Sequence, residues 1–129
     1  MIAPGRTIGI LGGGQLGRML ASAANQLGFD VHIFCPETDS PASRGARKTW
    51  NADYLDADAM REFAKSCDVV TLEFENIPVE ATDLIASCGV ALHPGPRSLA
   101  ISQDRAEEKA FLNRIGIPTA PYEVIESAA

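Results

Sequence analysis

The chain has 129 residues, of which 46% are hydrophobic and 22% charged, and its formal net charge is −6. This length fits one domain with a real hydrophobic core, and it is short for a complete two-substrate enzyme. The acidic balance argues against a nucleic-acid partner, because nucleic acids are bound by clustered lysine and arginine, and the sequence has no basic stripe.

Localisation is indicated by features that the sequence lacks. No apolar run approaches the roughly 18 residues that a membrane span needs, and residues 1–6 lack the hydrophobic region of a signal peptide. Cys35, Cys67 and Cys88 are odd in number and form no Cys-x-x-Cys pair, which favours reduced, mostly buried thiols over a metal site. We therefore expect a cytoplasmic protein with no membrane partner and no metal ligands of its own.

The chain begins with a strand, a glycine-rich turn and a helix. Thr7–Leu11 is a short apolar run, Gly12–Gly17 fits G-x-G-x-x-G, and apolar residues recur at helical spacing from Leu16 to Leu27. A tight connection alone needs fewer glycines, whereas glycine also lets the backbone approach a ligand closely. The first helical amides have no partners within the helix, and its dipole is positive there, so the turn predicts a phosphate site. The motif leaves open whether the ligand is a dinucleotide or a sugar phosphate.

Strands and helices alternate along the rest of the chain. The sequence predicts strands at 31–35, 49–50, 68–74 and 90–93, and helices at 57–66, 78–89 and 104–114. Residues 37–48 are predicted to form a loop. The alternation predicts an α/β fold, a doubly wound five-stranded parallel sheet with right-handed crossovers and helices on both faces. A weak strand pattern at 122–126 is interpreted as the start of a second domain.

Polar residues follow the fourth predicted strand. In a doubly wound sheet, the carboxyl end of this strand opens beside the glycine turn, which places Glu73, Glu75 and Asn76 near the predicted phosphate. Glu73 and Glu75 are two apart, so in extended chain they share a face. Because a carboxylate repels phosphate, Glu73 is expected to meet hydroxyls or an amino group of the same ligand. The spacing is equally compatible with solvated acids at a strand tip.

The glycine turn itself supplies the other candidate binding residues. Gly14, Gln15 and Leu16 occupy its open positions, where the amides of Gln15 and Leu16 are expected to face the phosphate. Arg105 opens a predicted helix, where a cation opposes the helix dipole, and this is a mild indication of an anionic ligand. His32 and His93 have no partner pattern and are interpreted as structural.

Four segments of the chain resemble one enzyme family. They are Gly9–Leu20 (GILGGGQLGRML), Asp68–Pro78 (DVVTLEFENIP), Gln103–Leu112 (QDRAEEKAFL) and Gly116–Pro121 (GIPTAP). Together they resemble 5-(carboxyamino)imidazole ribonucleotide synthetase, a member of the ATP-grasp superfamily. The similarity extends over essentially the whole chain in the right order, and the EFENIP and QDR segments are much more specific than the glycine turn.

The resemblance implies a ligase of purine biosynthesis. In this reaction ATP phosphorylates bicarbonate, and the carboxyphosphate delivers carbon dioxide to the exocyclic amine of 5-aminoimidazole ribonucleotide, releasing ADP and phosphate. The resemblance implies that Gln15 and Leu16 hold the phosphate of the ribonucleotide, that Glu73 and Asn76 contact its ribose or amine, and that Arg105 contacts ATP. For the full-length enzyme it implies ATP and Mg²⁺ as cofactors and a homodimer as the assembly.

Members of this family are much longer than this chain. Their ATP-binding lysines, magnesium carboxylates and bicarbonate-handling residues lie in portions that are absent here. We therefore expect residues 1–120 to be the N-terminal, Rossmann-like pre-ATP-grasp domain and residues 121–129 to be a linker or the start of a truncated ATP-grasp domain. The chain alone is expected to hold no cofactor and to be catalytically inactive.

Three alternatives remain open from the sequence. A nicotinamide-binding domain is favoured by Glu37, which lies about 20 residues past the glycine turn, where an acid often binds the adenine ribose. Against it, Glu37 follows Pro36, and no hydride-transfer site is present. A formate-using glycinamide ribonucleotide transformylase would resemble this chain, but it typically has an acidic residue in place of Gln15. The third alternative is a non-catalytic ribonucleotide-binding module.

Overall fold

The computed structural model describes residues 2–125 and contains one parallel sheet of five strands. The strands are β1 Thr7–Leu11, β2 Asp30–Cys35, β3 Lys48–Asn51, β4 Val69–Leu72 and β5 Ala91–Leu92. They lie in the order β3-β2-β1-β4-β5, and every neighbouring pair is parallel. This order confirms the predicted doubly wound sheet.

Helices connect the strands in the described part of the chain. They are α1 Gln15–Gln26, α2 Ala57–Lys65, α3 Val79–Ser87, α4 Pro96–Gln103 and α5 Arg105–Arg114, together with a short 3₁₀ helix at Ala42–Gly45. Aspartate carboxylates accept hydrogen bonds from the first amides of α2 and α5, which otherwise lack partners. Asp56 caps α2 and Asp104 caps α5, as the sequence predicts for both.

The hydrophobic core lies on both faces of the sheet. On one face, Ile10 and Ile33 pack with Ala21 and Ala24 of α1. On the other face, a larger cluster contains fully buried aromatic and aliphatic side chains of β1, β2, β4, α2 and α3, among them Leu11, Phe34, Phe63, Val70 and Ile85. Apolar residues of buried parallel strands must point to both sides, so helices are required on both faces.

Helix α1 buries small residues and exposes its large apolar ones. Gly17, Ala21 and Ala24 are buried, whereas Leu16 is 59% and Met19 66% exposed. The helical periodicity of the apolar residues was therefore sufficient to predict the helix but does not mark its buried face. Small side chains on the buried face let the axis of α1 approach the sheet closely, and this brings its first turn next to β4.

Three elements differ from the sequence-based expectations. The 3₁₀ helix lies within the predicted loop at 37–48, and α4 follows β5, where the sequence Pro94-Gly95-Pro96 predicts only the end of the strand. Pro96 instead starts the helix, because proline in the first turn needs no hydrogen-bond partner for its missing N–H. Residues 121–125 form no strand, and Glu126, the last residue of that predicted strand, lies outside the described residues.

The end of β4 also differs from the prediction. The strand stops at Leu72, not Phe74, so Glu73 is the first residue beyond it. Because the extended chain ends there, the expectation that Glu73 and Glu75 share one strand face is wrong. None of the helices described is both long and apolar enough for a transmembrane span.

Removing Phe63 should test the importance of the larger core cluster. Its ring is fully buried, and its centroid lies 5.4 Å from those of both Phe34 and Trp50 in edge-on geometry. Phe63→Ala should lower the free energy of unfolding by about 3–5 kcal/mol, measured by urea titration. Leu55→Ala, at a side chain that is 61% exposed, should cost less than about 0.5 kcal/mol. Equal losses would contradict this description of the core.

Candidate functional site

The candidate site lies at the carboxyl ends of β1 and β4, which are adjacent in the sheet. The chain runs from β1 to β2 and β3 on one side and returns to β4 and β5 on the other, so a crevice opens between β1 and β4. Ligands of doubly wound sheets bind at this kind of reversal. The glycine turn follows β1 and Glu73 follows β4, and the Glu73 amide donates a hydrogen bond to the Leu11 carbonyl at 3.0 Å.

The side chain of Glu73 reaches across this crevice to the start of α1. Its Oε1 accepts a hydrogen bond from the Gly14 amide at 2.7 Å, and its Oε2 accepts one from the Gly17 amide. The residue before the helix, Gly14, offers no capping side chain of its own. A carboxylate is favoured at this position because the first helical amides lack partners and the helix dipole is positive there. Glu73 therefore caps α1 from the neighbouring strand.

The three motif glycines surround this carboxylate. A Cβ atom at Gly12, where φ is +114°, would lie 2.2 Å from Glu73 Cγ. A Cβ atom at Gly14 or Gly17 would lie 2.7 Å from a Glu73 oxygen. The sequence pattern was interpreted as allowing close approach of a ligand, but in this structure the closest group to all three glycines is the Glu73 side chain.

This arrangement limits what the turn can offer to a phosphate. The Gly14 amide is occupied by Glu73. Within residues 2–125, the amides of Gln15 and Leu16 donate no hydrogen bond, and both residues are exposed. The amides of Gln15 and Leu16 are thus available to an anion, while Gly14 contributes through its contact with Glu73.

A cavity of about 280 Å³ opens beside the Glu73 carboxylate. Its walls include side chains that follow β2, β3 and β4 and the backbone of the turn that follows β1: Gly13, Gly14, Glu37, Ser40, Tyr54 and Glu73. Sequence reasoning missed Ser40 and Tyr54, and it considered Glu37 only for a nicotinamide cofactor. Each of these three residues follows β2 or β3, whose carboxyl ends lie at this edge of the sheet. This position in the sequence is the signal by which they could have been found.

The cavity is electronegative. Burial raises the pKa of the Tyr54 hydroxyl, and the negative charges of Glu37 and Glu73 raise it further. Tyr54 therefore stays protonated and can donate a hydrogen bond at neutral pH. Two carboxylates and a phenol suit ligand hydroxyls or amines, whereas a second phosphate in this cavity would be repelled.

Of the predicted site residues, Gly14 and Glu73 line this cavity, and the other four do not. Asn76 is exposed in the irregular segment between β4 and α3. Arg105 is exposed at the start of α5, where it forms an ion pair with Glu108 and lines a separate cleft with Lys109 and Tyr122. The structure therefore brings Gly14, Gln15, Leu16 and Glu73 together, and it places Arg105 in a different cleft.

The fold and the site define an α/β domain of the doubly wound, nucleotide-binding class, with a glycine-rich turn at its topological switch point. A family model described as the ribonucleotide synthetase preATP-grasp domain matches residues 5–103. The chain belongs to this family.

Named relatives and solved structures agree with this assignment. The N5-carboxyaminoimidazole ribonucleotide synthase of Brucella melitensis biotype 1 is 49% identical over 125 residues, covering 97% of this chain and 34% of the relative. A crystal structure of N5-carboxyaminoimidazole ribonucleotide synthetase with ADP superposes with a TM-score of 0.89 at 39% identity, covering 95% of this chain and 32% of the other.

A third comparison has a named ribonucleotide bound. The N5-carboxyaminoimidazole synthase of Aspergillus clavatus, in complex with ADP and 5-aminoimidazole ribonucleotide, has a TM-score of 0.77 and 35% identity, covering 91% of this chain and 31% of the other. The present chain thus spans about one third of the length of these three proteins.

Gly12→Ala should test the packing of the glycines around Glu73. The new methyl group would overlap Glu73 Cγ and would require a non-glycine residue at φ +114°. Overpacking and backbone strain together should lower the free energy of unfolding by at least about 2 kcal/mol, measured by urea titration.

Gly45→Ala is the matched control, because its Cβ atom would make only an ordinary contact, 3.5 Å from that of Ala21. A double mutant, Gly12→Ala with Glu73→Ala, should lose less than the sum of the two single losses, since truncating Glu73 relieves the overlap. Strict additivity would contradict the contact.

Proposed function

We propose that this chain is the ribonucleotide-binding domain of an ATP-dependent carboxylating ligase of purine biosynthesis. The complete enzyme would convert 5-aminoimidazole ribonucleotide, bicarbonate and ATP to 5-(carboxyamino)imidazole ribonucleotide, ADP and phosphate. The observation that supports this most directly is the Glu73 carboxylate, which lies on the glycine turn and at the wall of the adjoining cavity. This arrangement offers one molecule both an anion site and hydroxyl or amine acceptors.

In the proposed binding mode, the phosphate lies against the exposed first turn of α1. The amides of Gln15 and Leu16 donate to it, and the dipole of α1 favours its charge. Glu73 carries a negative charge close by, but two backbone N–H groups already stabilise that charge. The phosphate therefore belongs on the solvent side of the turn, and the rest of the molecule belongs on the side of the cavity.

The sugar and base then meet the polar groups of the β4 end. Each Glu73 oxygen accepts one protein hydrogen bond, and each retains a lone pair for a ribose hydroxyl or for the exocyclic amine. Asn76 follows three residues later and can donate or accept. The Aspergillus relative, which is described in complex with this ribonucleotide, supports the choice of ligand.

ATP and Mg²⁺ are assigned mainly to regions beyond this chain. Arg105 is proposed to contact ATP from the start of α5. No group of three or more His, Cys, Asp or Glu side chains within residues 2–125 could hold a metal ion, so this region does not fit a magnesium site by itself. We propose residues 1–120 as the pre-ATP-grasp domain, with a linker or the beginning of the ATP-grasp domain from 121. A homodimer, bicarbonate as substrate and a cytoplasmic location complete the proposal.

Gln15→Pro should test the phosphate site at a single amide. Gln15 is the first helical residue, where proline is tolerated, and the preceding Gly14 is extended (φ −77°, ψ −164°), as a residue before proline prefers. The substitution removes one donor and should weaken binding of 5-aminoimidazole ribonucleotide about tenfold, measured by calorimetric titration.

Gln15→Ala is the matched control, because it removes the side chain but keeps the amide. A small effect of Gln15→Ala beside a large effect of Gln15→Pro would assign the contact to the backbone. Unchanged binding in both variants would place the phosphate elsewhere. Saturable binding of NADH, with no binding of the ribonucleotide, would favour the nicotinamide alternative.

The purified chain should show no ATP- and bicarbonate-dependent carboxylation of the ribonucleotide. The physical reason is that the described residues include neither a metal-binding cluster nor a second domain to enclose ATP. A coupled assay for ADP release measures this, with a full-length relative as the positive control. Turnover by the 129-residue chain would contradict the proposal that ATP and Mg²⁺ bind mainly to other regions of the complete enzyme.

A further inference from the structure

The side chain of Gln103 bridges the irregular segment that follows β4. Its Nε2 donates to the Glu75 carbonyl at 2.8 Å and to the Ile77 carbonyl at 2.6 Å. A side-chain amide has two N–H donors, so these contacts use both of them. The two accepting residues flank Asn76. We infer that Gln103 is a positioning residue of the ribonucleotide site, which holds the Glu73–Ile77 segment in place.

The segment needs such support because it forms neither helix nor strand. Its first residue is fixed to β1 through the Glu73 amide and to α1 through the Glu73 carboxylate. Its last residue, Ile77, is fully buried in the core. Backbone carbonyls outside helices and strands still need hydrogen-bond donors. The Gln103 side chain donates to two such carbonyls, one on each side of Asn76.

The position of Gln103 is itself well defined. It is the last residue of α4, which is anchored by Leu99, a residue that is 2% exposed and packs in the same core cluster as Ile77. The next residue, Asp104, caps α5 through the amides of Ala106 and Glu107. The Gln103 side chain therefore extends from the junction of two helices, and the contact reaches 26 to 28 residues back along the sequence.

This inference rests on the proposed function, because it takes Glu73 and Asn76 to contact the ribonucleotide. Gln103 acts through them and touches no ligand itself. A side chain that served only the stability of the fold would change the free energy of unfolding without affecting the contribution of Asn76 to binding. The two roles can therefore be separated by experiment.

Gln103→Glu is the informative substitution, since it keeps the shape of the side chain but replaces the donor with a carboxylate facing two carbonyls. Gln26→Glu, at the exposed end of α1, is the control with the same chemical change. Gln103→Glu should weaken binding of 5-aminoimidazole ribonucleotide about tenfold in calorimetric titrations. In an Asn76→Ala background it should weaken binding by a clearly smaller factor, because the part of the effect that passes through Asn76 is already lost.

A second measurement is independent of any ligand. In ¹⁵N-labelled protein, Gln103→Glu should move the amide resonances of Gly14 and Gly17, which donate hydrogen bonds to the Glu73 carboxylate at the start of the segment. Gln26→Glu should leave these resonances unchanged. If Gln103→Glu fails to fold by circular dichroism, Gln103→Met removes the donor without adding a charge.

The outcomes distinguish this inference from the proposed function. Unmoved Gly14 and Gly17 resonances would overturn the role of Gln103, whatever happens to binding. An equal loss of affinity in the native and Asn76→Ala backgrounds would also overturn it. Moved resonances in a chain that does not bind the ribonucleotide would support the positioning contact and contradict the proposed function instead.

Discussion

The contact between the Glu73 carboxylate and the start of α1 is the interaction on which the site depends. It joins the end of β4 to the first turn of a helix that follows β1, and it satisfies two amides that the helix cannot satisfy itself. The glycines at 12, 14 and 17 are small because this side chain lies among them. The Glu73 carboxylate thus holds the turn through two hydrogen bonds and also forms part of the wall of the adjoining cavity.

The same contact divides the site into two regions of different charge preference. The amides that remain on the exposed turn favour an anion, while the cavity with Glu37, Tyr54 and Glu73 favours hydrogen-bond donors. A sugar monophosphate has this combination of groups within one molecule. A second phosphate inside the cavity would be repelled by the carboxylates of Glu37 and Glu73.

The sheet and most of its helices could be predicted because each depends on local signals: apolar runs, capping aspartates and glycine stops. Helix α4 was missed because Pro94-Gly95-Pro96 was interpreted as the end of a strand, although Pro96 also suits a helix start.

Gly14, Gln15, Leu16 and Glu73 could be placed together because sheet topology brings the ends of β1 and β4 to one edge. That Glu73 would bond to the turn itself could not be predicted, since this depends on a side-chain conformation across 56 to 59 residues. Ser40 and Tyr54 lack a recognisable motif, so only the folded chain reveals them.

The small buried face of α1 has a consequence for how the domain assembles. Gly17, Ala21 and Ala24 bury little area, so α1 gains modest stability from packing alone, and its cap arrives only with a residue beyond β4. We therefore expect the N-terminal turn of α1 to become ordered only once β4 has paired with β1. Order at the entrance of the site would then depend on the whole sheet rather than on α1 alone.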